Sequence, residues 1–176
     1  MINGAEMVDC AGCSGQSWLD ARVAFAHARR YCDPALRRRG ISDGDTLTAR
    51  CDSAADASLQ TIKVRLAEVD APEHHQAFGT RSREHLASLC FKQSAEVRPI
   101  AAAGGLDRYG RTVAHVSCNG IDANTEQVRA GMAWVFDRYV IDRRLYALQD
   151  EARIAHRGLW ADAQPVAPWE WRRAAR

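Results

Sequence analysis

The feature that most constrains the fold is a run over residues 60–69 in which apolar and polar side chains alternate. Its apolar side chains share one face of an extended chain, at Ile62, Val64 and Leu66. Because side chains of a strand point alternately to the two faces of a sheet, this pattern predicts a β-strand with one buried face. Pro72 follows and stops the strand. The fold therefore includes a sheet that is covered on one side.

Segments before and after this strand have the patterns of further strands and of helices. Strands are expected at residues 46–51, 95–99 and 111–118, and helices at residues 79–91, 124–130 and 143–157. Asn119-Gly120 is a hairpin turn, Asn124 is the expected N-cap of the second helix, and Gly131 and Gly158 are the expected ends of the last two helices. The inward side chains of the third helix are Leu145, Leu148, Ala152 and Ala155. This order predicts an α+β fold, a small closed barrel with helices against its sides.

Composition narrows the class of protein. Of 176 residues, 47% are hydrophobic and 26% are charged, which is typical of a globular domain that buries its own core. No apolar run approaches the roughly 18 residues that cross a bilayer, so a membrane-spanning protein is excluded. The 24 basic and 22 acidic residues leave a net charge of only +2. Any binding of a polyanion therefore has to come from a local cluster and not from bulk charge.

The chain divides into three parts. Residues 1–40 are expected to be an atypical, poorly ordered extension, in which residues 22–31 have the pattern of a short helix that Pro34 ends. No signal peptide is recognisable there, and the compartment stays open. Residues 41–164 hold the barrel domain, and residues 165–176 are a tail rich in Trp and Arg. Four tryptophans are expected to be packing anchors: Trp134, Trp160, Trp169 and Trp171.

The cysteines leave two questions open. One set resembles a zinc knuckle in its spacing, namely Cys10, Cys13, His27 and Cys32. The segment between these residues lacks a hairpin pattern, so we favour thiols on an extension over a zinc site. In the barrel domain, at most one disulfide can form among Cys51, Cys90 and Cys118, and the spacing does not say which pair it joins.

Carboxylates and arginines cluster at the ends of the predicted strands. They lie in three segments, Asp43-Gly-Asp-Thr46, Arg65-Leu-Ala-Glu-Val-Asp-Ala-Pro-Glu73 and Asp107-Arg-Tyr-Gly-Arg111. Carboxylates on two separate turns are the hard oxygen ligands that Ca²⁺ or Mg²⁺ needs. Two arginines could hold a phosphodiester, and a glutamate that is not a metal ligand could deprotonate a water. Each segment alone is more often a turn, a surface ion pair or a loop, and only their combination indicates a site.

In this order and spacing, the three segments resemble the staphylococcal nuclease (thermonuclease) family. Further matching stretches are Gln76-Ala-Phe-Gly79, Asn124-Thr-Glu-Gln-Val-Arg-Ala-Gly-Met-Ala133, Arg157-Gly-Leu-Trp160 and Pro168-Trp-Glu-Trp171. The resemblance covers residues 41–172. It implies an OB-type five-stranded β-barrel with three helices. It also implies Ca²⁺-dependent hydrolysis of DNA and RNA that leaves 3′-phosphate ends and has no strong sequence preference.

The resemblance implies a role for each matching residue. The Ca²⁺ ligands would be Asp45, Asp70 and the backbone carbonyl of Ala71, with Asp43 behind them. The catalytic residues would be Arg65, Glu73 and Arg111, where the arginines bind the scissile phosphate and the glutamate acts on the attacking water. The substrate-binding residues would be Arg108, Tyr109 and Tyr139. The expected partner is single-stranded or flexible DNA or RNA, with no membrane, and the expected state is a monomer.

One departure from the family leaves an alternative open. The family has an apolar strand before the Asp-Gly-Asp turn, whereas residues 36–42 hold only two apolar side chains, Leu36 and Ile41. The first strand is therefore expected to be degraded or missing, which would weaken the hold on Asp45. The second candidate function is a non-catalytic, nuclease-like module that binds nucleic acid or protein, and the third is an interaction domain that uses the Trp-rich tail. The complete set of acids and arginines favours catalysis.

Overall fold

The computed structural model describes residues 30–33, 40–52, 59–100 and 105–175. The strands in these ranges are β1 Arg30–Asp33, β2 Ile41–Asp43, β3 Thr46–Asp52, β4 Leu59–Leu66, β5 Val69–Asp70, β6 Ala95–Pro99, β7 Thr112–Cys118, β8 Ile121–Asp122 and β9 Trp134–Val135. The α-helices are α1 Gly79–Cys90, α2 Ala123–Arg129, α3 Arg144–Ile154 and α4 Pro168–Ala174, and a 3₁₀ turn spans Gly158–Ala161. None of these helices is long and apolar enough to cross a membrane.

Five strands close into a barrel. Each strand is hydrogen-bonded to the next in the order β3, β4, β7, β6 and β1, and β1 returns to pair with β3. These neighbours are antiparallel except β4 and β7, which run parallel. The predicted α+β fold with an OB-type five-stranded barrel is therefore confirmed. The helix count differs, because the described ranges contain four α-helices instead of three.

The first barrel strand was expected to be degraded or missing over residues 36–42, of which the structure describes only 40–42, the start of β2 included. β1 closes the barrel, with Cys32 opposite Cys51 of β3 and Ala95 of β6. β2 pairs with the start of β3 and leads directly into the Asp-Gly-Asp turn. The predicted helix over residues 22–31 is wrong at its last two positions, which belong to β1. Its remaining residues lie outside the described part of the chain, as do Cys10, Cys13 and His27, so the zinc question stays a prediction.

The core fills the barrel and the space beneath the helices. Its most deeply buried aliphatic side chains, each at most 1% exposed, include Val64, Leu66, Leu86, Val97, Val116 and Val128. Full burial of each such side chain contributes about 1.5–3 kcal/mol. Val64 and Leu66 both face this core. Arg65 lies between them on β4 and therefore projects from the other face of the strand. The alternation over residues 60–69 is thus confirmed as far as Leu66, where β4 ends.

The helices differ from their predictions mainly at their ends. Asp122 caps α2 in place of Asn124, and its Oδ1 accepts a hydrogen bond from the backbone N–H of Thr125 at 2.8 Å. α2 begins one residue earlier than expected, so Asn124 lies inside it. α3 spans Arg144–Ile154 instead of the expected 143–157, so it ends before Gly158, which begins the 3₁₀ turn, and the expected inward residue Ala155 is exposed.

A disulfide joins two of the cysteines in the barrel domain. It links Cys90 at the end of α1 to Cys118 at the end of β7, with a Cα–Cα distance of 5.2 Å. The spacing of the cysteines in the sequence did not predict which two would be joined. The bond fastens α1 to the barrel, which matters for the site because α1 packs beneath the Asp-Gly-Asp turn.

Candidate active site

The turn between β2 and β3 places the first carboxylate of the site. Asp45 is 6% exposed. Its Oδ1 accepts a hydrogen bond from Thr46 Oγ1, and its Oδ2 accepts one from the backbone N–H of Ala71, both at 2.9 Å. A β-carbon on Gly44 would lie 1.8 Å from Ser82 Oγ and 2.8 Å from Ala71 Cβ. Glycine therefore lets the turn pack directly against α1 and the segment after β5.

Gly44→Ala is expected to lower the free energy of unfolding by about 1–3 kcal/mol, because the added methyl forces backbone and side chains apart. A urea unfolding curve measures this change. The matched control is Gly40→Ala, since a β-carbon at Gly40 would lie 3.5 Å from Phe91, an ordinary contact. The control is expected to stay within about 0.5 kcal/mol of the parent chain. Equal stabilities for the two variants would contradict the close packing of this turn.

Arg65 lies between two buried carboxylates. On β4, opposite Thr46, it places Nη1 2.5 Å from Asp45 Oδ2 and Nη2 2.9 Å from Asp70 Oδ1. Burial by itself lowers the pKa of the Arg65 guanidinium, but the two aspartates outweigh that effect and raise it. The side chain therefore stays charged while only 13% of it is exposed. A buried cation of this kind is stable because both of its counterions are in contact with it.

The carboxylates outnumber the cations that touch them. Burial raises the pKa of Asp70, and Asp45 raises it further, although bonds from two arginines oppose the effect. The pKa of Asp43 is also raised, first by burial and then by the charges of Asp45 and Glu73. Asp45, Asp70 and Glu73 thus share two arginines, Arg65 and a second one, and Asp43 lies close enough to feel the charges of Asp45 and Glu73. Such a surplus of negative charge is what a bound cation would neutralise.

That second arginine is Arg172, which the sequence did not indicate as a site residue. Its Nη2 is 2.5 Å from Asp70 Oδ2, and its Nη1 is 2.6 Å from Glu73 Oε1 and 3.3 Å from Asp70 Oδ1. Residues 165–176 were expected to be a tail, yet Pro168–Ala174 is a helix with proline in its first turn. That proline is a signal for a helix start. Arg172 and Asp70 are 102 positions apart in the sequence, and no local pattern indicates that they pair.

The loop after β5 is fastened to the segment that carries Arg172. Gln76 accepts a hydrogen bond from the backbone N–H of Glu73 at 3.1 Å and donates one to the carbonyl of Val166 at 2.6 Å. On α4 the ring of Trp169 stacks on Phe136, with centroids 5.6 Å apart. The helix therefore has supports besides the ion pairs of Arg172.

The third segment places a further arginine on the same side of the barrel. Arg111 donates from Nε to Asp107 Oδ2 at 2.7 Å and approaches Thr46 Oγ1 with Nη1 at 3.4 Å. Partial burial by itself raises the pKa of Asp107, but hydrogen bonds from Arg111 and from the backbone of Tyr109 outweigh it and lower the pKa. Tyr109 is 66% exposed, and the guanidinium groups of Arg108 and Arg111 lie 4.7 and 5.2 Å from its ring centroid.

Comparison with known proteins settles the family. The family description "Staphylococcal nuclease homologue" matches residues 63–162, more than half of the chain. The chain belongs to the staphylococcal nuclease family. The resemblance that the motifs predicted is thereby confirmed.

Curated relatives of this staphylococcal nuclease homologue span bacteria and plants. An uncharacterized endonuclease of Haemophilus influenzae is 44% identical over 133 residues, which cover 76% of this chain and 70% of that protein. A micrococcal nuclease of Shigella flexneri is 39% identical over 147 residues, which cover 77% of this chain and 79% of that protein. A probable staphylococcal-like nuclease of Oryza sativa subsp. japonica is 34% identical over 156 residues, which cover 88% of this chain and 41% of that protein.

The structure of this nuclease homologue brings most of the expected site residues together. Asp45, Arg65 and Asp70 are in direct contact, and Arg111 joins them through Thr46. Tyr139 is placed differently. Its ring lies against Phe136 and below the guanidinium of Arg138. Over the described ranges, no hydrogen bond, ion pair or ring contact joins Tyr139 to the carboxylates.

A buried amide of the nuclease homologue was also missed by the sequence analysis. Gln127 on α2 is fully buried, and its Nε2 donates to the carbonyls of Gly44 and Ser82. Its Oε1 contacts His85 Nδ1 on α1. This side chain therefore ties both helices to the turn that carries Asp45. The only sequence signal for it was its place in a stretch that matches the family.

Proposed function

We propose that this chain is a Ca²⁺-dependent endonuclease that hydrolyses single-stranded or flexible DNA and RNA without strong sequence preference and leaves 3′-phosphate ends. The observation that carries the proposal is Arg65, held between Asp45 and Asp70, with Arg111 reaching the same cluster. Cations and carboxylates around one point suit an anionic ester that gains charge in its transition state. Relatives named micrococcal nuclease and endonuclease support this reaction class.

The residues present fit a hard divalent cation. Asp45 and Asp70 are buried carboxylates that touch the same guanidinium, and the carbonyl of Ala71 follows directly in the chain. Asp43 adds charge nearby. Within the described ranges no group of three or more His, Cys, Asp or Glu side chains is arranged to hold a metal. A bound Ca²⁺ would supply charge neutralisation at the phosphate.

The side chains of the cluster have different roles in the proposed reaction. Arg65 and Arg111 bind the oxygens of the scissile phosphate and reduce its repulsion of a nucleophile. Glu73 is 38% exposed at its side chain, so solvent water can reach it. It takes a proton from that water as the oxygen bonds to phosphorus. The bond from phosphorus to the 5′ oxygen breaks, the 5′ oxygen takes a proton from solvent water, and the phosphate stays on the 3′ oxygen.

Substrate specificity follows from what lies beside this cluster. The ring of Tyr109 is exposed beside the guanidinium groups of Arg108 and Arg111, and we propose that it stacks on a base of the substrate. Stacking of this kind favours single strands and tolerates any base. Arg108 adds a charge for the backbone, and Tyr139 offers a second exposed ring. We therefore expect weak sequence preference and a preference for flexible strands.

The test is hydrolysis of a labelled single-stranded oligonucleotide by the purified chain, with Ca²⁺, with Mg²⁺ and with a chelator. Cleavage is expected with Ca²⁺ and not with the chelator, because the carboxylates otherwise lack their cation. Mass spectrometry of the products is expected to show 3′-phosphate ends. Undiminished cleavage in chelator would contradict the metal requirement, and 3′-hydroxyl ends would contradict the direction of bond breakage.

The alternative, a nuclease-like module that binds without cleaving, has a separate outcome in the same test. It predicts a shift of the labelled strand in a native gel with no products under any metal condition. The expected loss of the first strand argued weakly for it. β1 closes the barrel, β2 leads into the Asp-Gly-Asp turn, and Asp45 contacts Thr46, Ala71 and Arg65.

A further inference from the structure

The carboxylate of Asp70 has a cation on each of its oxygens. Arg65 bonds Oδ1 at 2.9 Å, and Arg172 bonds Oδ2 at 2.5 Å. The Arg172 guanidinium also bonds Glu73. One side chain from α4 thus engages the residue proposed to bind the metal and the residue proposed to act on water.

We infer that Arg172 is a tethered cation that occupies ligand positions of the catalytic metal, so that a divalent ion has to displace it from Asp70. This inference rests on the proposed function for the role of Asp70. A guanidinium and a metal ion cannot both use the same lone pairs of one carboxylate, and two cations at that distance repel each other. Binding of the ion and docking of Arg172 are therefore competing states.

The surrounding structure allows the exchange. The Arg172 side chain is 40% exposed, so its guanidinium can turn towards water while the helix stays in place. α4 and the segment before it keep two other supports, the stacking of Trp169 on Phe136 and the hydrogen bond from Gln76 to the carbonyl of Val166. Arg65 is different, because it is enclosed between Asp45 and Asp70. Arg172 is thus the arginine that can leave.

Docking of Arg172 stabilises the site in the absence of metal. It places a positive charge beside Asp70, which is 1% exposed, and beside Glu73. The apparent dissociation constant of the ion rises by the inverse of the fraction of molecules in which Arg172 is undocked. If about one molecule in ten is undocked, metal binding is weakened about tenfold.

The experiment is calorimetric titration of Ca²⁺ alone into the full chain, comparing the parent with Arg172→Gln, Arg172→Lys and Arg173→Gln. Arg173 is the exposed neighbour on the same helix, so its variant removes an equal charge from solvent. Arg172→Gln is expected to bind Ca²⁺ about tenfold more tightly than the parent. Arg172→Lys is expected to lie between them, because lysine keeps the charge but lacks the two-pronged contact. Arg173→Gln is expected to change the affinity less than about twofold.

A second readout uses no metal. Thermal unfolding in chelator is expected to show a lower Tm for Arg172→Gln than for Arg173→Gln, because Asp70 and Glu73 lose their counterion. Equal or weaker Ca²⁺ binding by Arg172→Gln, or an equal shift in Arg173→Gln, would overturn the inference. These results would leave the proposed function standing if the parent chain binds Ca²⁺. No Ca²⁺ binding by any variant would instead sink the metal requirement and the inference with it.

Discussion

Glu73→Gln is expected to lower kcat/KM on a single-stranded oligonucleotide by about 10²–10⁴-fold, the usual contribution of a positioned general base. Glutamine has the shape of glutamate and keeps an acceptor for Arg172, but it cannot take a proton from water. Because the side chain is 38% exposed, the exchange leaves no buried charge without a partner. Initial rates in Ca²⁺ at neutral pH measure the effect.

The control for this variant is Glu84→Gln, which removes the same charge from an exposed position on α1. Its rate is expected to stay within about twofold of the parent, as for substitutions at plain surface sites. The Tm of both variants is measured beside the rates. A Glu73→Gln enzyme that retains a tenth or more of the parent activity would remove Glu73 from the role of base.

Arg65→Ala is the second change with a large expected effect, a loss of at least about 10²–10³-fold in kcat/KM. The guanidinium is proposed to meet the phosphate, and it also sets the positions of Asp45 and Asp70. Its removal leaves those carboxylates facing each other with less compensation, so stability is expected to fall by about 3–5 kcal/mol. A rate measured on this variant alone would therefore mix catalysis with folding.

Arg65→Lys separates the two effects. Lysine keeps the charge in the buried site, but it cannot contact two carboxylates and a phosphate with a planar fork. We expect the variant to keep its fold, as judged by circular dichroism and Tm, and still to lose most of its activity. The matched control is Arg98→Ala on β6, which removes an arginine whose side chain is 46% exposed. Full activity in Arg65→Lys would show that charge alone suffices.

Local patterns predicted the elements whose burial follows a regular period. The alternation around Val64 and Leu66 is that of a strand against a core, and the 3–4 spacing of Leu86 is that of a helix. β1 was missed because Arg30–Asp33 is extended only through pairing with β3 and β6, which lie far along the chain. In such a case tertiary pairing overrides local preference.

The residues of the site also fall into those that local sequence patterns predicted and those that they did not. Asp45, Arg65 and Asp70 stand in motifs with recognisable order, and the structure brings them into contact. Arg172 has no such signal, because its partners lie 102 and 99 positions away and the helix that carries it has only seven residues. Gln127 resembles a surface residue of a short helix in the sequence, yet it is fully buried against the Asp-Gly-Asp turn. Long-range polar pairing leaves no periodic trace in sequence.

Packing of the tryptophans has an optical consequence. Trp134 contacts Trp160 and Trp169, with ring centroids 4.4 and 5.8 Å apart, and the third of these rings is on α4, three residues before Arg172. Indoles at such distances couple their excited states and share one apolar environment. The near-ultraviolet spectrum of the chain is thus sensitive to where α4 sits. Trp169 is therefore an intrinsic chromophore on the helix that carries Arg172, and no dye has to be attached to follow that helix.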